Sequence, residues 1–580
     1  MERTGDDRAA WPLRGWALAL LGAAIGLAIH GLIDGPDHGR ITDSPVRLAT
    51  ATFLGVAGIA FALTVERVRT GWSAAFAAVA GLVVASAIYW NGGPGDWEAN
   101  DGWRLFCGVL AVGIAAPLFQ TIRDEGRRLL TYAAVHDHAW TNAILGGLAL
   151  AFLGIVWLLA WLLSALFGLI GIDVLKHLLE KAWFGWMLSG AAAGAGLALL
   201  RDQGRIVRQF QRVVIVVLSV LAPVLGAGLA IFLVATLFTG LEPLWEATRD
   251  TTPILLGCVA GAFILANDVI GDGPEDEARN PLLRWAGVAL AAVMLPLAAI
   301  AAISTGLRLD QYGLTPSRLW ALTFIIVACA VGLAYWVALA RKRLRWAEAA
   351  RPANLNLAIG LCALMLLLST PLISFGALSA RSQVARLEAG KVTPERFDWA
   401  ALRYDFGPAG RKAVERLAQS PKPAIRTAAA KALAAKDRRA LAAAARVPDA
   451  KAAFLERAVV VPKAVALPDA LVEAAAADFD GCGRGDVGQH CVVRYVADAG
   501  EAVIVSWWPA CGTCAPVARL FSRAPDGSWS GARSERPDGN PDKAAIAAYR
   551  AAAGRGEIEV REVKRRQIFV GGQPVGEPFE

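Results

Sequence analysis

The sequence predicts an all-α polytopic transmembrane bundle of about eleven helices, followed by a soluble part with short Ala-rich helices and a small α+β domain. The 580-residue chain is 56% hydrophobic and has a mean hydropathy of +0.45, which is too apolar for an ordinary soluble protein. Its long apolar runs all end by Phe375, and no later run could cross a hydrocarbon core of ~30 Å. We therefore expect an N-terminal tail (1–14), a membrane domain (15–376), a helical segment (377–478) and a cysteine-containing α+β domain (479–580).

Each predicted span is an apolar run of roughly 20 residues, the length that a helix needs to cross a bilayer. Trp residues lie at several span ends, which is typical of the aromatic belts at membrane interfaces. The predicted spans are Gly15–Ile33, Leu48–Val65, Trp72–Trp90, Leu105–Ile122, Asn142–Ile170, Ala182–Leu200, Val213–Thr239, Pro253–Ile270, Trp285–Thr305, Leu319–Ala340 and Asn354–Phe375.

The charges of the short loops predict the orientation of the bundle. The side that holds the N-terminus carries 19 Lys and Arg residues, and the opposite loops carry eight. The positive-inside rule therefore places the N-terminus in the cytoplasm. An odd number of spans then places the C-terminal domain outside, in a multi-pass protein of the cell (inner) membrane.

The cysteines give a second indication of the same orientation. Four lie within predicted spans, where a lone cysteine is typically a small packing residue: Cys107, Cys258, Cys329 and Cys362. The other four are clustered in the soluble domain: Cys482, Cys491, Cys511 and Cys514. An even, clustered set in a small domain is typical of an oxidising compartment, so we expect structural disulfides.

The segment SWWPACGTCAP leaves two alternatives to structural disulfides open. A strand that ends before a C-x-x-C pair resembles the thioredoxin active-site segment, with Cys511 as nucleophile and Cys514 as resolving thiol. Only 66 residues follow Cys514, and they indicate hairpins instead of the continuation of that fold. A zinc site of four thiolates is the other alternative, but its C-x8-C spacing is unusual.

Ionisable residues are scarce at the centres of the predicted spans. Asp268, beside Asn267, is the strongest candidate for an intramembrane polar site, although it lies near the cytoplasmic end of its span. His136 and His138 flank Asp137, but a helix points an H-x-H pair to different faces, and no further ligand is nearby. The sequence therefore predicts no metal site and gives no support for proton-coupled transport.

The external loop Leu307–Arg318 has the residues of a turn followed by a helix. Thr315 is placed to cap the helix that Pro316 opens. We expect this loop to contact the soluble part, with Tyr312 and Arg318 facing the segment 396–410. The candidate partners of Arg318 there are Asp398 and Asp405.

Several ordered segments resemble a known group of membrane proteins. They are HDHAWTNAIL, the run Trp157–Ile172, LRLDQYGLTPSRLW and RFDWAALRYDFGPAG. Together they are similar to the bacterial integral membrane family catalogued as domain of unknown function 4153. The resemblance implies a membrane domain followed by a soluble part, and it brings no established activity, cofactor or catalytic residue.

The last hundred residues contain several runs that are typical of β-strands. CVVRYVA, EAVIVSWW and VARLFSRAPDGSWSGA predict strands, with a hairpin turn at Pro525-Asp526-Gly527. Asp542–Ala553 predicts a helix, and the tail predicts a hairpin that turns at Gly571-Gly572. We expect a mostly antiparallel sheet.

Three classes of function follow, and the residues favour the first. It is a non-enzymatic cell-envelope protein whose bundle anchors an extracytoplasmic domain that binds another envelope protein. The alternatives are a transporter or channel, and an extracytoplasmic thiol-disulfide oxidoreductase that uses Cys511 and Cys514. The chain has no P-loop, G-x-S-x-G or H-E-x-x-H motif, and His490 is the only histidine of the soluble half. The lipid bilayer is the expected partner, without nucleic acid or cofactor.

Overall fold

The computed structural model covers the chain, and we describe residues 13–34, 44–67, 69–92, 101–125, 130–241, 251–435, 438, 441, 454–455, 458–462, 465–478, 490–507, 517–533, 543–560, 566–570 and 573–579. The chain divides into two compact units. One consists of Met1–Pro394 with Ala400–Leu433, and the other of Glu395–Trp399 with Ala434–Glu580. Each unit is described by itself.

The first unit contains the membrane helices, and their number is as predicted. Among the described residues, 11 helices are long and apolar enough to cross a membrane. They are α1 (Arg14–Ile33), α2 (Pro45–Thr64), α3 (Thr70–Asn91), α4 (Asp101–Glu125), α5 (Tyr132–Leu169), α7 (Ala182–Asp202), α8 (Gly204–Thr239), α9 (Thr251–Ile270), α10 (Pro281–Tyr312), α11 (Pro316–Lys342) and α12 (Ala347–Ser369). The short helix α6 (Val174–Leu179) lies between α5 and α7.

Several helices begin or end well beyond the apolar run that predicted them. α5 begins at Tyr132, ahead of the predicted Asn142, and the side chain of Thr131 caps it by accepting from Ala134 N. α10 begins at Pro281, where Asn280 is the capping residue. Polar residues continue a helix outside the hydrocarbon core because the backbone bonds of the helix do not depend on side-chain polarity.

The core of the membrane half is centred on α9, α10 and α11. Leu290, Met294 and Leu297 of α10 are fully buried, and Tyr335 of α11 is fully buried beside them. α10 is therefore the central helix of this group, while the exposed apolar side chains of α5 and α8 face outward.

Helices α1 and α7 cross with their backbones in contact. A Cβ atom added to Gly22 would lie 2.0 Å from Gly190 O, and one added to Gly194 would lie 2.0 Å from Leu18 O. The segments GAAIG (22–26) and GAAAG (190–194) supply the small residues for this crossing. Small residues four apart are the usual means of close helix approach in membranes.

Three helices and one irregular turn follow the last span within the first unit. They are α13 (Phe375–Glu388), a π-helical turn (Ala401–Asp405), α14 (Gly407–Leu417) and α15 (Pro423–Ala434). Gly376 and Gly410 let these elements approach closely, because an added Cβ would lie 2.5 Å from Phe406 O and 2.0 Å from Leu402 O, respectively.

The second unit contains a five-stranded sheet in the order β1-β2-β3-β4-β5. The strands are β1 (Ala458–Val461), β2 (His490–Val496), β3 (Glu501–Trp507), β4 (Val517–Arg523) and β5 (Trp529–Arg533), followed by the hairpin β6 (Arg566–Val570) and β7 (Gln573–Phe579). Helices α16 (Asp469–Asp478) and α17 (Lys543–Arg555) also lie in this unit. The antiparallel pairing of β2 to β5 confirms the predicted strands, and the predicted turn at Gly571-Gly572 lies outside the described residues.

Strand β1 differs from the sequence-based expectation. It lies in a segment that we expected to be helical throughout, and it pairs in parallel with β2. Its sequence AVVV is β-branched, which favours a strand once a neighbouring strand is available. The predicted turn at Pro525-Asp526-Gly527 is confirmed, with Gly527 at a φ of 84° and Ala524 N donating to Ser528 O at 2.8 Å.

Candidate functional site

The side-chain amide of Asn267, in the last turn of α9, joins four helices. Its Nδ2 donates to Phe263 O of the same helix at 2.7 Å and to the Tyr335 hydroxyl of α11 at 2.9 Å. Its Oδ1 accepts from the Tyr132 hydroxyl of α5 at 3.2 Å and from Asn354 Nδ2 of α12 at 2.6 Å. An asparagine amide offers two donors and two acceptor positions, so all four are used.

The surroundings of this network are apolar. Tyr335 is 0% exposed and Asn354 is 6% exposed. The ring of Tyr335 contacts Phe263 and Trp346, with centroids 5.8 Å and 5.6 Å apart. A polar group that is buried among such side chains is costly unless it is bonded, so the network stabilises one arrangement of the four helices.

Asp268 directs its carboxylate to a different helix. It is 9% exposed, and its Oδ2 accepts from Ser219 Oγ of α8 at 2.9 Å. Its Oδ1 is buried without a donor in the part of the chain that the structure describes. Asp268 is therefore buried and Asn267 is half-buried, and the two candidates bind different neighbours of α9.

Arg351 of α12 binds the carbonyl end of α9. Its guanidinium donates to the carbonyl oxygens of Ile270, Gly271 (3.4 Å) and Gly273 (2.9 Å), and it pairs with Glu277 Oε2 at 3.3 Å. Carbonyl groups in the last turn of a helix have no partner within the helix, and a cation there also complements the helix dipole. Arg351 thus fixes α9 to α12 beside the Asn267 network.

The loop 271–280 after α9 holds a pair of carboxyl groups. Gly271 has a φ of 60°, and an added Cβ would lie 2.9 Å from the Asp276 side chain, so the turn requires glycine. Burial raises the pKa of Asp272 to about 6, with further contributions from a hydrogen bond to Asp276 and from the charges of Asp276 and Asp137.

The polar residues at the start of α5 are each directed to a different partner. Trp140 Nε1 donates to His136 Nε2 at 3.0 Å, whereas His138 Nε2 lies 3.5 Å from Asp124 Oδ2 of α4. Asn142 Nδ2 donates to Gln120 Oε1 at 2.7 Å. The two histidines lie on different faces, as predicted, and no group of three His, Cys, Asp or Glu among the described residues is placed to hold a metal ion.

A second charged cluster joins α2, α3 and α4 at the end of the bundle where α1 begins. The Arg123 side chain is 2% exposed and pairs with Glu66 Oε1 at 2.5 Å and with Asp124 Oδ1 at 2.7 Å. The same guanidinium donates to Thr64 O and, at 3.3 Å, to Ser73 Oγ. The cluster pairs the buried charge of Arg123 with carboxylates and connects the neighbouring ends of the three helices.

At the opposite end of the bundle, α13 binds the residues that connect α10 and α11. Gln383 Nε2 donates to Tyr312 O at 2.8 Å and to Leu314 O at 2.9 Å. Arg386 donates to the carbonyl oxygens of residues 310 and 311, and Leu314 N donates to Ser382 Oγ at 3.3 Å. The first helix after the last span is therefore fixed to the bundle.

The predicted contact residues Tyr312 and Arg318 lie on either side of this connection, at the end of α10 and in the first turn of α11. The Arg318 guanidinium lies over the Tyr312 ring, 5.3 Å from its centroid, and donates to Gly313 O at 2.8 Å. Thr315 caps α11, as predicted, by accepting from Arg318 N at 3.4 Å. The pairing of Arg318 with Asp398 and Asp405 stays a prediction.

The membrane cysteines lie in helices, as predicted, and are free: Cys107, Cys258, Cys329 and Cys362. Of the soluble four, Cys491 lies in β2 and is 1% exposed. Cys482, Cys511 and Cys514 lie outside the described residues. Their proposed disulfides or redox chemistry stay predictions.

Several residues of these clusters were not singled out by the sequence. Tyr132, Tyr335 and Asn354 are isolated polar residues at the ends of apolar runs, and each is as compatible with a lipid interface as with a bonded network. Arg351 appears in the sequence only as a flanking charge. The sequence signal that could have identified these residues is the recurrence of polar side chains near the same end of several spans.

A comparison with known protein families shows which family this chain resembles. Residues 51–417 match the family described as Domain of unknown function (DUF4153). The chain belongs to this family. Comparisons with curated proteins and with solved structures found no match.

The DUF4153 segment contains the clusters described above. It begins within α2 and ends with α14, so it contains the Asn267 network, Arg351, the Arg123 cluster and the α13 contacts. Helix α1 and the sheet of the second unit lie outside it. The chain is thus an integral membrane protein with a domain of unknown function, to which a further helix and a sheet-containing unit are joined.

Proposed function

We propose that this protein is a membrane anchor of the cell envelope. Its helical bundle holds the C-terminal unit at the extracytoplasmic surface of the cell membrane, where that unit binds another envelope protein. The hydrogen bonds from α13 to residues 310–314 carry the proposal. They fix the first helix that leaves the membrane, which is what a scaffold for an attached unit requires.

The orientation rests on loop charge and on cysteine chemistry. The 19 Lys and Arg residues on the N-terminal side, against eight opposite, support a cytoplasmic N-terminus. With a cytoplasmic N-terminus, an odd number of spans, such as the eleven found among the described residues, supports an extracytoplasmic C-terminal unit. The clustering of four cysteines in the soluble half supports the same side, because disulfides persist in oxidising compartments.

The contacts of the polar residues favour a structural role, in which they hold the helices together, over a role in transport. Ionisable residues on a transport path line a cavity or exchange partners. All four hydrogen-bonding positions of the Asn267 amide are occupied by protein groups on four helices, and Arg351 is bound to carbonyl oxygens of α9. These bonds hold the helices in one arrangement.

Photocrosslinking in intact cells tests the proposal. A photoreactive amino acid at Tyr549 or Val496, which are 54% and 40% exposed, is expected to form a discrete adduct with a second protein. The same amino acid at Leu237, a span residue that is 82% exposed, is the control and should form no such protein adduct. A reporter that is active only outside the cytoplasm, fused after Glu580, should be active in the same strain.

Two results would contradict the proposal. One is activity of a cytoplasmic reporter at Glu580 together with silence of the external one, since that would place the C-terminal unit inside. The other is the absence of protein adducts from both exposed positions while the chain is folded and inserted.

A further inference from the structure

A crevice of about 240 Å³ lies between α1, α2 and α7. Gly22 and Gly26 of α1 form its floor where α1 and α7 touch, and Gly55 and Gly58 of α2 form a facing wall. The lack of a side chain at Gly22 and Gly26 lets α7 approach α1 closely, and Gly55 leaves room in the facing wall. The exposed side chains of Ile59 and Trp186 border it, so the crevice opens sideways toward the bilayer.

The residues that line the crevice favour an apolar ligand. Ser189 supplies a hydroxyl to the lining, and that hydroxyl accepts a hydrogen bond from Trp157 Nε1 at 3.0 Å. Nearly all of the remaining lining consists of Gly, Ala, Leu and Ile. A polar ligand would lose its hydration here with little compensation, whereas an alkyl chain loses nothing by leaving the bilayer interior.

The length of the crevice matches one leaflet of a bilayer. Its lining extends along α1 from Leu18 to Ile29. At 1.5 Å per residue, this corresponds to about 16 Å along the helix axis. Half of a hydrocarbon core of ~30 Å is about 15 Å, which is the depth that one acyl chain occupies.

Two arginines lie one helical turn beyond the same end of the crevice. Arg14 precedes Leu18 by four residues, and Arg201 follows Leu197 by four residues. Arg201 Nη1 donates to Ala62 O at 3.1 Å and to Val65 O at 2.9 Å. These acceptors are neutral carbonyl oxygens, and among the described residues no carboxylate forms an ion pair with Arg201.

Arg14 retains an unused donor at this end. Its Nη2 pairs with Asp202, and its Nε is buried without an acceptor among the described residues. The guanidinium groups of Arg14 and Arg201 lie at the level where the phosphate of a lipid would lie if its chain filled the crevice.

We propose that this crevice binds one acyl chain of an anionic phospholipid, from the leaflet on the Arg14 side, with the phosphate against Arg14 and Arg201. Bound lipid fills the gap between α1, which lies outside the DUF4153 segment, and the helices of that segment. The site is independent of the anchor function proposed above.

Native mass spectrometry of the detergent-solubilised protein tests the site, with dioleoyl-phosphatidylglycerol as the probe. The wild type is expected to retain one such lipid. Gly55→Leu should reduce the retained fraction about tenfold, because a Cβ at Gly55 meets only Ile29 Cδ1 at 3.6 Å and a larger side chain enters the crevice. Ala193→Leu fills the crevice from α7 and should act in the same way.

Gly113→Leu is the matched control, because Gly113 is a lipid-facing glycine of α4 with no atom within 4 Å of an added Cβ. Arg14→Gln should remove the preference for phosphatidylglycerol over phosphatidylcholine.

Equal lipid retention by wild type, Gly55→Leu and Ala193→Leu would overturn the crevice site. A mass of two chains that Gly55→Leu abolishes would also overturn it, since the occupant would then be a second copy. A headgroup preference unchanged by Arg14→Gln would overturn the assignment of the phosphate.

Discussion

Arg351 binds the end of one membrane helix to the start of another with a single side chain. The sequence marks it only as a charge before the last span, because the carbonyl groups that it binds are 81 and 78 positions away. Asn267 was recognisable as a polar residue in a span, but its partners Tyr132 and Asn354 are 135 and 87 positions away. Polar candidates are therefore visible in a sequence, whereas their partners depend on the packing of several helices.

Replacement of Arg351 by methionine should destabilise the bundle. Arg351→Met leaves the carbonyl oxygens of Ile270 and Gly273 buried without their charged donor, and such bonds contribute about 1.5–3 kcal/mol. We expect the free energy of unfolding in detergent to fall by about 3 kcal/mol. Arg345→Met is the control, since the Arg345 side chain is 73% exposed and its pair with Glu348 is worth roughly 0–1 kcal/mol. Equal stability of the two variants would remove the role assigned to Arg351.

Asp272 should make the stability of the bundle depend on pH. Its pKa in the folded protein is raised to about 6, first by burial and then by Asp276 and Asp137. The folded state therefore binds the proton more tightly than the unfolded chain, whose Asp pKa is about 3.9. The stabilisation is complete below about pH 4 and is lost as the pH rises through about 6.

Chemical unfolding between pH 4 and 7 measures this effect. Asp272→Asn should reduce the loss of stability across that range. Glu275→Gln changes the formal charge of the same loop equally, at an exposed position, and should retain the wild-type pH profile. A profile that Asp272→Asn leaves unchanged would assign the pH dependence to another group.

At the scale of the helices, hydropathy was sufficient to predict eleven spans. A bilayer requires about 20 apolar residues for each span, and these runs are local features of the sequence. The helix ends were less well predicted, because α5 and α10 continue through polar residues outside the apolar runs. The crossing of α1 and α7 was not predicted, since the glycines are visible in the sequence but the helix that they contact is not.

Valine at Gly190 should separate α1 from α7. A Cβ there would lie 2.0 Å from Gly22 O, and backbone atoms can give way only by moving the helix. Overpacking typically costs 1–3 kcal/mol, so we expect a loss of about 3 kcal/mol in unfolding free energy and faster proteolysis within α1. Gly147→Val, in α5, introduces the same side chain where no atom lies within 4 Å. If both variants are as stable as the wild type, the backbone contact does not hold α1.

At the scale of the whole molecule, the sequence separated a membrane half from a soluble half but did not predict every pairing in the second unit. The antiparallel strands were predicted because short turns join neighbouring strands, as at Pro525-Asp526-Gly527. The parallel pairing of β1 with β2 joins residues more than 30 positions apart, such as Ala458 and Cys491. No local pattern records such a pairing.

The last prediction concerns the four soluble cysteines and separates an envelope anchor from a redox enzyme. We expect Cys482, Cys491, Cys511 and Cys514 to be oxidised in the mature protein as structural disulfides. A disulfide contributes about 2–4 kcal/mol to a small domain by restricting its unfolded chain. A bond within the C-x-x-C pair closes a very short loop, so it stabilises less and is the bond that best distinguishes the two functions.

Reduction potential is the measurement that decides. Structural disulfides typically lie below about −300 mV, whereas oxidant-type catalytic pairs lie near −120 to −200 mV. In a glutathione buffer poised at about −250 mV, the full-length protein should label only at its membrane cysteines. A Cys511→Ala, Cys514→Ala double variant identifies any signal from the C-x-x-C pair. Two additional labelled thiols in the wild type that are missing from this variant, while the fold persists, would identify a redox-active pair and favour the oxidoreductase.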